Sequence, residues 1–442
     1  MKKILVIGAG RSAITLIKYL LDNAKANNWF VRVADFLEDL AKEAVANHSS
    51  GKAIFFNVTD DMQRESEISD SDIVISMLPT RMHILVAEDC VRLGKNLVTA
   101  SYVSKEILAL DEKAKQAGII LLNEIGLDPG IDHMSAMQVI DEIKVNGGEL
   151  TSFKSYCEGL VHPDFDNNPW NYKFTWNPRN VVLAGQGTAQ YIKQGKYKYI
   201  PYAKLFERTE KMTILDAGEF EGYANRDSLS YRKAYGLDKI PTLLRGTLRR
   251  KGFCKSWNMF VQLGMTEDTY VVENTENMTY REFTNLFFPF NNKCTVEKKF
   301  CDYLNISVDS DEFKKAKWLG IFIDKKIGIK DATPAKILQK ILEEKWSLAS
   351  QDKDMIVMQH QFEYVQDGEL KKLNSSLLVF GDDPRYTSMA KTVGLPVAIA
   401  TKLILNGDIN SVGVKIPTTK DIYAPVLKEL EENGINFVEE LV

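Results

Sequence analysis

Gly8-Ala9-Gly10-Arg11-Ser12-Ala13 spaces two glycines and an alanine as GxGxxA. In that pattern the first glycine makes a tight turn, the second lets a pyrophosphate approach the backbone, and the small third residue lets a helix pack closely. Amides at the helix start would hold the phosphates. An acid, Asp35, follows. At the end of the second strand of such a unit it would accept hydrogen bonds from the adenosine ribose hydroxyls and repel a 2′-phosphate, which argues for NAD over NADP. Asp is also a favoured N-cap, so the alternative is that Asp35 merely caps a helix over 37–45.

Two further groups carry polar chemistry. Asn123-Glu124-Ile125-Gly126-Leu127-Asp128-Pro129-Gly130-Ile131-Asp132-His133 concentrates polar and turn-forming residues in an apolar neighbourhood; read blandly, it is a turn feeding a helix that carries a structural histidine. Arg245, Thr247 and Arg249 share one face of a strand over 243–249, opposite Leu244, Gly246 and Leu248. That face lines a pocket, or it is a solvated edge strand whose charges prevent aggregation. The histidines (His48, His83, His133, His162, His360) form no HxH or HxxxH pair and the cysteines (Cys90, Cys157, Cys254, Cys294, Cys301) no CxxC pair. No metal site is expected.

These residues need elements to position them. Ile4 to Ile7 reads as a buried strand, Ile14, Leu16, Ile17, Leu20 and Leu21 as a helix face, and Phe30 to Ala34 as a second strand. Further strands over 53–56, 72–77, 96–99 and 119–122 alternate with helices over 82–93 and 105–117. The fold class is therefore α/β, with a doubly wound Rossmann-type parallel sheet of six strands. Ligands in such sheets bind beyond the carboxyl ends of the strands, so Leu78-Pro79, Ala100-Ser101-Tyr102 and Asn123 to Gly130 are site candidates by position.

Beyond residue 126 the alternation weakens into an α+β substrate and dimerisation domain. In it, Trp170, Tyr172, Phe174 and Trp176 alternate as a pocket wall or a sheet core. Phe253, Trp257, Phe260 and Val261 give an amphipathic helix, and a small helical insertion spans about 275–350. Asp367-Gly368 joins a hairpin whose sheet offers a surface for pairing subunits. The chain then ends in a helix interrupted by Pro396 and another over 420–432. The organisation expected is a nucleotide domain over 1–125, a substrate and dimerisation domain over 126–385 and a C-terminal segment over 386–442 that returns to the nucleotide domain.

Composition excludes several other classes. With 442 residues, 45% hydrophobic and 26% charged, the chain is globular, and 56 basic against 60 acidic residues leave a net charge of −4, wrong in sign for binding nucleic acid. The opening Met-Lys-Lys-Ile-Leu-Val-Ile imitates a signal peptide, but Arg11 and Lys18 break the apolar run. No membrane span is expected, and the cysteine pattern fits a reducing, cytoplasmic setting.

The string Asn123 to Ala136 resembles the signature of the saccharopine dehydrogenases, the glutamate-forming saccharopine reductases of lysine metabolism. The resemblance continues through Ser155 to Leu160, Asn168-Pro169, Tyr172 to Trp176, Asn225 to Ser228, Arg245 to Arg249 and Thr392 to Pro396, and is weakest over 267–351. It implies interconversion of saccharopine with L-glutamate and 2-aminoadipate 6-semialdehyde through a nicotinamide cofactor. Carried over by position, the cofactor meets Gly8, Gly10, Arg11, Ser12, Ala13, Asp35, Asn57, Val58, Leu78, Ala100, Ser101, Leu127, Asp128 and Pro129. Saccharopine meets Ser101, Tyr102, Asp128, Arg226, Thr247, Leu248 and Arg249. The sequence departs from the fungal members in two places. They carry an arginine-containing turn and use NADP where this chain has Val33-Ala34-Asp35-Phe36, and Asn57 stands where an aspartate is common.

The implied chemistry needs a base, because the secondary amine must be neutral before hydride leaves its carbon. Asp128 and Tyr102 are the candidates, with Cys157 a third, although a buried cysteine is ordinarily inert packing. Arg226 beside Asp227 is a carboxylate clamp or a surface ion pair. Two other functions fit the same residues: a related imine-reducing dehydrogenase such as carboxynorspermidine dehydrogenase, and a non-catalytic NAD-binding sensor. A homodimer accompanies the enzyme reading.

Overall fold

The computed structural model describes residues 1–442. They divide into two compact units, the first comprising 1–150, 364–370 and 377–438, the second 151–363, 371–376 and 439–442.

The first unit is built on a parallel sheet. Strands β1 (Lys2–Ile7), β2 (Trp29–Asp35), β3 (Gly51–Phe55), β4 (Ile73–Ser76), β5 (Asn96–Val98) and β6 (Ile120–Leu122) are joined by Gly413–Lys415 in the order Gly413–Lys415, β6, β5, β4, β1, β2, β3. The order reverses between β1 and β4, so the crevice at the switch point opens there. Ile4 to Ile7 and Ile73 to Ile75 are fully buried, as expected of strands covered by helices on both faces. The sheet has seven strands where the sequence indicated six: Gly413–Lys415 pairs in parallel with β6 although about 290 residues separate them.

The helix Ser388–Asn406 belongs to this unit and runs unbroken through Pro396, correcting the expected interruption. It is long and apolar enough to cross a membrane, with mean hydropathy 1.3, but 72% of it is buried within the protein. Gly394 brings its backbone against that of Leu16, where an added Cβ would come within 2.9 Å of the Leu16 amide nitrogen. It is a core helix packed on Ile14–Asn27, and that packing holds the proline in place.

A second, mixed sheet is formed by β7 (Glu149–Val161), β8 (Thr188–Lys193), β9 (Lys196–Pro201), β10 (Thr209–Thr213), β11 (Glu219–Ala224), β12 (Thr242–Arg250), β13 (Asp354–Gln366), β14 (Glu369–Phe380) and Phe437–Leu441. β12 lies between β11 and β7, so the arginine strand is central and not an edge. The β13–β14 turn has φ of 54° at Asp367 and 83° at Gly368, the two positive values a tight hairpin needs. The expected helical insertion is present as Tyr280–Asn285, Val296–Leu304, Asp311–Leu319 and Pro334–Trp346. The alternating aromatics form no strand. Trp170, Tyr172 and Phe174 are instead buried in a cluster with Trp346, at ring separations of 5.1–5.4 Å.

Candidate active site

The glycine loop follows β1 directly. Gly8 has φ +104°, and a Cβ there would fall 2.8 Å from the Met77 carbonyl oxygen, so only glycine fits the turn. Gly10 differs: its φ is −68° and a Cβ would meet nothing within 4 Å. The protein's own packing does not require glycine at position 10, and the space before it suits a ligand's close approach to the backbone. Arg11–Ala13 forms a single turn leading into the helix Ile14–Asn27, which points its free amides toward the same place.

Asp35 closes this group from the end of β2. One carboxylate oxygen accepts from the Ala9 amide at 2.7 Å and the other from the Leu37 amide at 2.8 Å. The N-cap of the next helix is Leu37, so Asp35 does not cap it and instead ties the end of β2 to the glycine loop. Phe36, beside it, is exposed and contacts the Phe55 ring at 5.7 Å. Asn57 bends its own turn, its side-chain oxygen accepting from Thr59 N at 3.1 Å; Val58 is buried in the core and Leu78 packs against it.

At the ends of β5 and β6 the structure brings Tyr102 and Asp128 together. The tyrosine hydroxyl donates to the Asp128 carboxylate at 3.2 Å, and both side chains are half-buried. Glu124 sets this proximity. Buried and at φ 56°, it accepts from the Val103 amide at 3.0 Å through one oxygen and pairs with His133 Nε2 at 2.9 Å through the other. His133 is fully buried on the helix Ile131–Val145, so it anchors the loop, as the bland reading had it. Asp132 Oδ1 accepts from the Gly130 amide at 2.6 Å and fixes the turn after Leu127-Asp128-Pro129. Ala100 and Ser101 lie in the same cluster, and the Ser101 carbonyl accepts from the Glu124 amide.

Sequence reasoning gave His83 no role beyond its lack of a metal-ligand partner. It is buried between Ser76 and Ser101, with Nδ1 2.8 Å from the Ser76 hydroxyl and Nε2 2.7 Å from that of Ser101. Burial without a neighbouring acid pushes its pKa down to about 4. The signal in the sequence was only the position of both serines at strand ends.

In the second unit, Cys157 is in register with Thr247, and Arg249 with Glu221. The Arg249 guanidinium is almost wholly buried and ion-paired with Glu158. It also lies 5.2 Å from the rings of Tyr172 and Phe253, near enough for cation–π attraction. Burial lowers its pKa to about 10. Its Nε has no hydrogen-bond partner. Glu158 accepts as well from Trp176 Nε1 at 3.2 Å and from the Gly159 amide at 3.1 Å. Leu248 is fully buried in the core, so only its backbone remains for recognition. Arg226 is exposed at φ 47°, while Asp227 accepts from the Leu229 amide at 2.8 Å and shapes the following turn. Arg245 lies over the Tyr231 ring at 4.3 Å. A cavity of about 740 Å³ bounded by Arg179, Lys336, Lys340 and Glu343 contains none of these residues.

The fold and the glycine loop define a dinucleotide-binding α/β protein with a second, sheet-based unit. The saccharopine dehydrogenase NADP binding domain matches residues 4–122, and the saccharopine dehydrogenase C-terminal domain matches residues 126–435. The chain belongs to the saccharopine dehydrogenase family and is a nicotinamide-dependent oxidoreductase. It is 36% identical over 456 residues to the Saccharomyces cerevisiae saccharopine dehydrogenase [NADP(+), L-glutamate-forming], covering 100% of this chain and 99% of that protein. It is 34% identical over 449 residues to the mitochondrial alpha-aminoadipic semialdehyde synthase of Rattus norvegicus, spanning 99% of this chain but only 47% of that longer protein. Among solved structures, apo saccharopine dehydrogenase (L-Glu forming) from S. cerevisiae aligns with a TM-score of 0.90 at 33% identity, covering 100% of both chains. The name of the yeast relative and that of the first domain specify NADP, so the preference for NAD read from Asp35 draws no support from them.

Proposed function

We propose that this protein is a glutamate-forming saccharopine dehydrogenase that prefers NAD. The reading is carried by the Tyr102–Asp128 pair at the carboxyl ends of the sheet, in a chain whose whole length matches proteins named for this reaction. Oxidation starts with loss of a proton from the secondary amine, whose lone pair must be free; Asp128 takes that proton, with Tyr102 steadying the carboxylate. The bound nicotinamide supplies the hydride acceptor. Water then adds to the carbon–nitrogen double bond. The hydroxyl of the resulting carbinolamine gives up its proton as the carbon–nitrogen bond breaks, leaving the aldehyde and the amine of glutamate. The net reaction is saccharopine, water and NAD⁺ to glutamate, semialdehyde, NADH and a proton.

Arg226, Thr247 and the Leu248-Arg249 segment belong to the same proposal as contacts for the substrate's three carboxylates. Glu158 already takes up the buried Arg249 guanidinium, so the exposed Arg226 is the more accessible cation of the set. Cys157, beside Thr247 in register, is the third candidate for handling protons. The NAD preference rests on the Asp35 carboxylate beside the glycine loop, with exposed Phe36 following it and no cation at either position. A homodimer and a cytoplasmic setting go with this reading; buried thiols at Cys90, Cys157, Cys254 and Cys301 suit a reducing compartment, and sedimentation equilibrium tests the dimer.

The experiment is steady-state oxidation of saccharopine with NAD and with NADP, followed by reduced-nicotinamide absorbance and glutamate release. Turnover that is faster with NAD supports the reading. No turnover overturns the activity, and faster turnover with NADP overturns the cofactor preference alone.

A further inference from the structure

The Ser76–His83–Ser101 chain has a direction that the structure fixes. Ser76, at the end of β4, is fully buried, and its hydroxyl has one hydrogen-bond partner, His83 Nδ1 at 2.8 Å. A buried hydroxyl proton without an acceptor is costly, so Ser76 donates and Nδ1 accepts. A neutral imidazole has one acceptor and one donor, which leaves the proton on Nε2. Nε2–H then donates to the Ser101 oxygen 2.7 Å away. Ser101 is only half-buried, and with its oxygen accepting from His83, its own proton is left to point outward.

We propose that His83 is a positioning residue that turns the Ser101 hydroxyl into a fixed donor for an acceptor oxygen on a bound ligand, with Ser76 setting the tautomer. This deepens the saccharopine dehydrogenase reading, since it assumes that Ser101 faces cofactor or substrate. The acceptor oxygen belongs either to a substrate carboxylate or to the nicotinamide carboxamide. Without the relay, Ser101 is free to rotate and to spend its proton elsewhere, and the ligand loses a preorganised hydrogen bond. His83 stays neutral at working pH because its burial is not offset by any neighbouring acid, so it acts as a relay of fixed polarity and not as a titrating base.

The test is a double-mutant cycle on the full-length enzyme with His83→Phe, Ser101→Ala and the pair, read as kcat/KM for saccharopine and as Kd for NADH. Losing one hydrogen bond predicts a fall of about tenfold in each single variant. Because both remove the same bond, the double variant falls by the same factor and not by its square. A fall in kcat/KM with NADH affinity unchanged assigns the acceptor to saccharopine; a rise in Kd for NADH assigns it to the nicotinamide. His83→Gln, which restores a donor near the Nε2 position, recovers most of the loss, as a purely space-filling role would not allow. Multiplicative losses, or a Ser101→Ala variant equal to wild type by both readouts, overturn the proposal. ¹⁵N NMR of the wild-type imidazole decides independently of catalysis: a protonated Nε2 and bare Nδ1 are expected, whereas a protonated Nδ1 contradicts the relay. If wild type does not turn over saccharopine, the functional reading falls while NMR and NADH binding still decide this inference.

Discussion

Arg249 and Glu158 form an ion pair on adjacent strands, β12 and β7, with side-chain exposures of 2% and 4%. Each charge is the other's means of staying buried, because an uncompensated ion in the interior is expensive. Replacing Glu158 with leucine strands the guanidinium and should cost about 3 kcal/mol of unfolding free energy, whereas Glu158→Leu with Arg249→Met removes both charges and should recover most of it. Urea unfolding of the two variants checks this. Equal loss in both would mean the pair contributes through shape and not charge.

The glycine loop makes opposite predictions at its two glycines. Gly10→Ala should leave stability unchanged or raise it by about 0.5 kcal/mol, since φ is ordinary and the added methyl touches no protein atom. It should nevertheless weaken NADH binding by at least about tenfold, because the methyl enters the space where the proposed site places the pyrophosphate. Gly8→Ala should destabilise by about 1 kcal/mol or more, from positive φ and the clash with Met77. Calorimetry paired with a binding titration separates the two, and Gly10→Ala binding as wild type would remove the loop from the cofactor site.

Asp35→Ala should shift the ratio of kcat/KM for NAD to kcat/KM for NADP about tenfold toward NADP. The change combines loss of an acceptor for the ribose hydroxyls with removal of a negative charge from the place a 2′-phosphate would occupy. An unchanged ratio would exclude Asp35 from cofactor selection.

His83 gives folding stability a pH dependence. Its folded pKa of about 4 lies below the ordinary 6.5, so the unfolded chain binds the extra proton in between. Stability from this group is complete above about pH 6.5 and lost as pH falls to about 4, a change of about 3 kcal/mol. Wild-type urea midpoints should therefore drop through that window more steeply than those of His83→Phe. Parallel curves would show that the imidazole is not held neutral.

Much of the first unit was legible because its strands are short, continuous apolar runs separated by helical periodicity. The ends of β1, β2 and β4 fall within two residues of the expected positions. Gly413–Lys415 was not legible: three residues carry no period, and their partner β6 is remote in sequence. Pro396 read as an interruption because local chemistry disfavours proline inside a helix, while the packing of Gly394 on Leu16 that holds the helix together is tertiary. On β12 the period of two was correctly read, but not that both faces would be covered or that Glu158 would take up Arg249. Tyr102 and Asp128 followed from the sheet-end rule and the family resemblance; His83 escaped because its partners lie 7 and 18 residues away, Ser76 at the end of β4 and Ser101 beyond the end of β5, a proximity no linear motif records.

On the proposed function, this sheet and its Tyr102–Asp128 pair serve oxidation of a secondary amine bearing carboxylates. The most direct test is a single-turnover mixture of enzyme, saccharopine and NAD, scored for NADH and L-glutamate together. One glutamate for every NADH is expected, with Asp128→Asn slowing both by at least about a hundredfold. NADH without glutamate, or neither product from the folded enzyme, would contradict it.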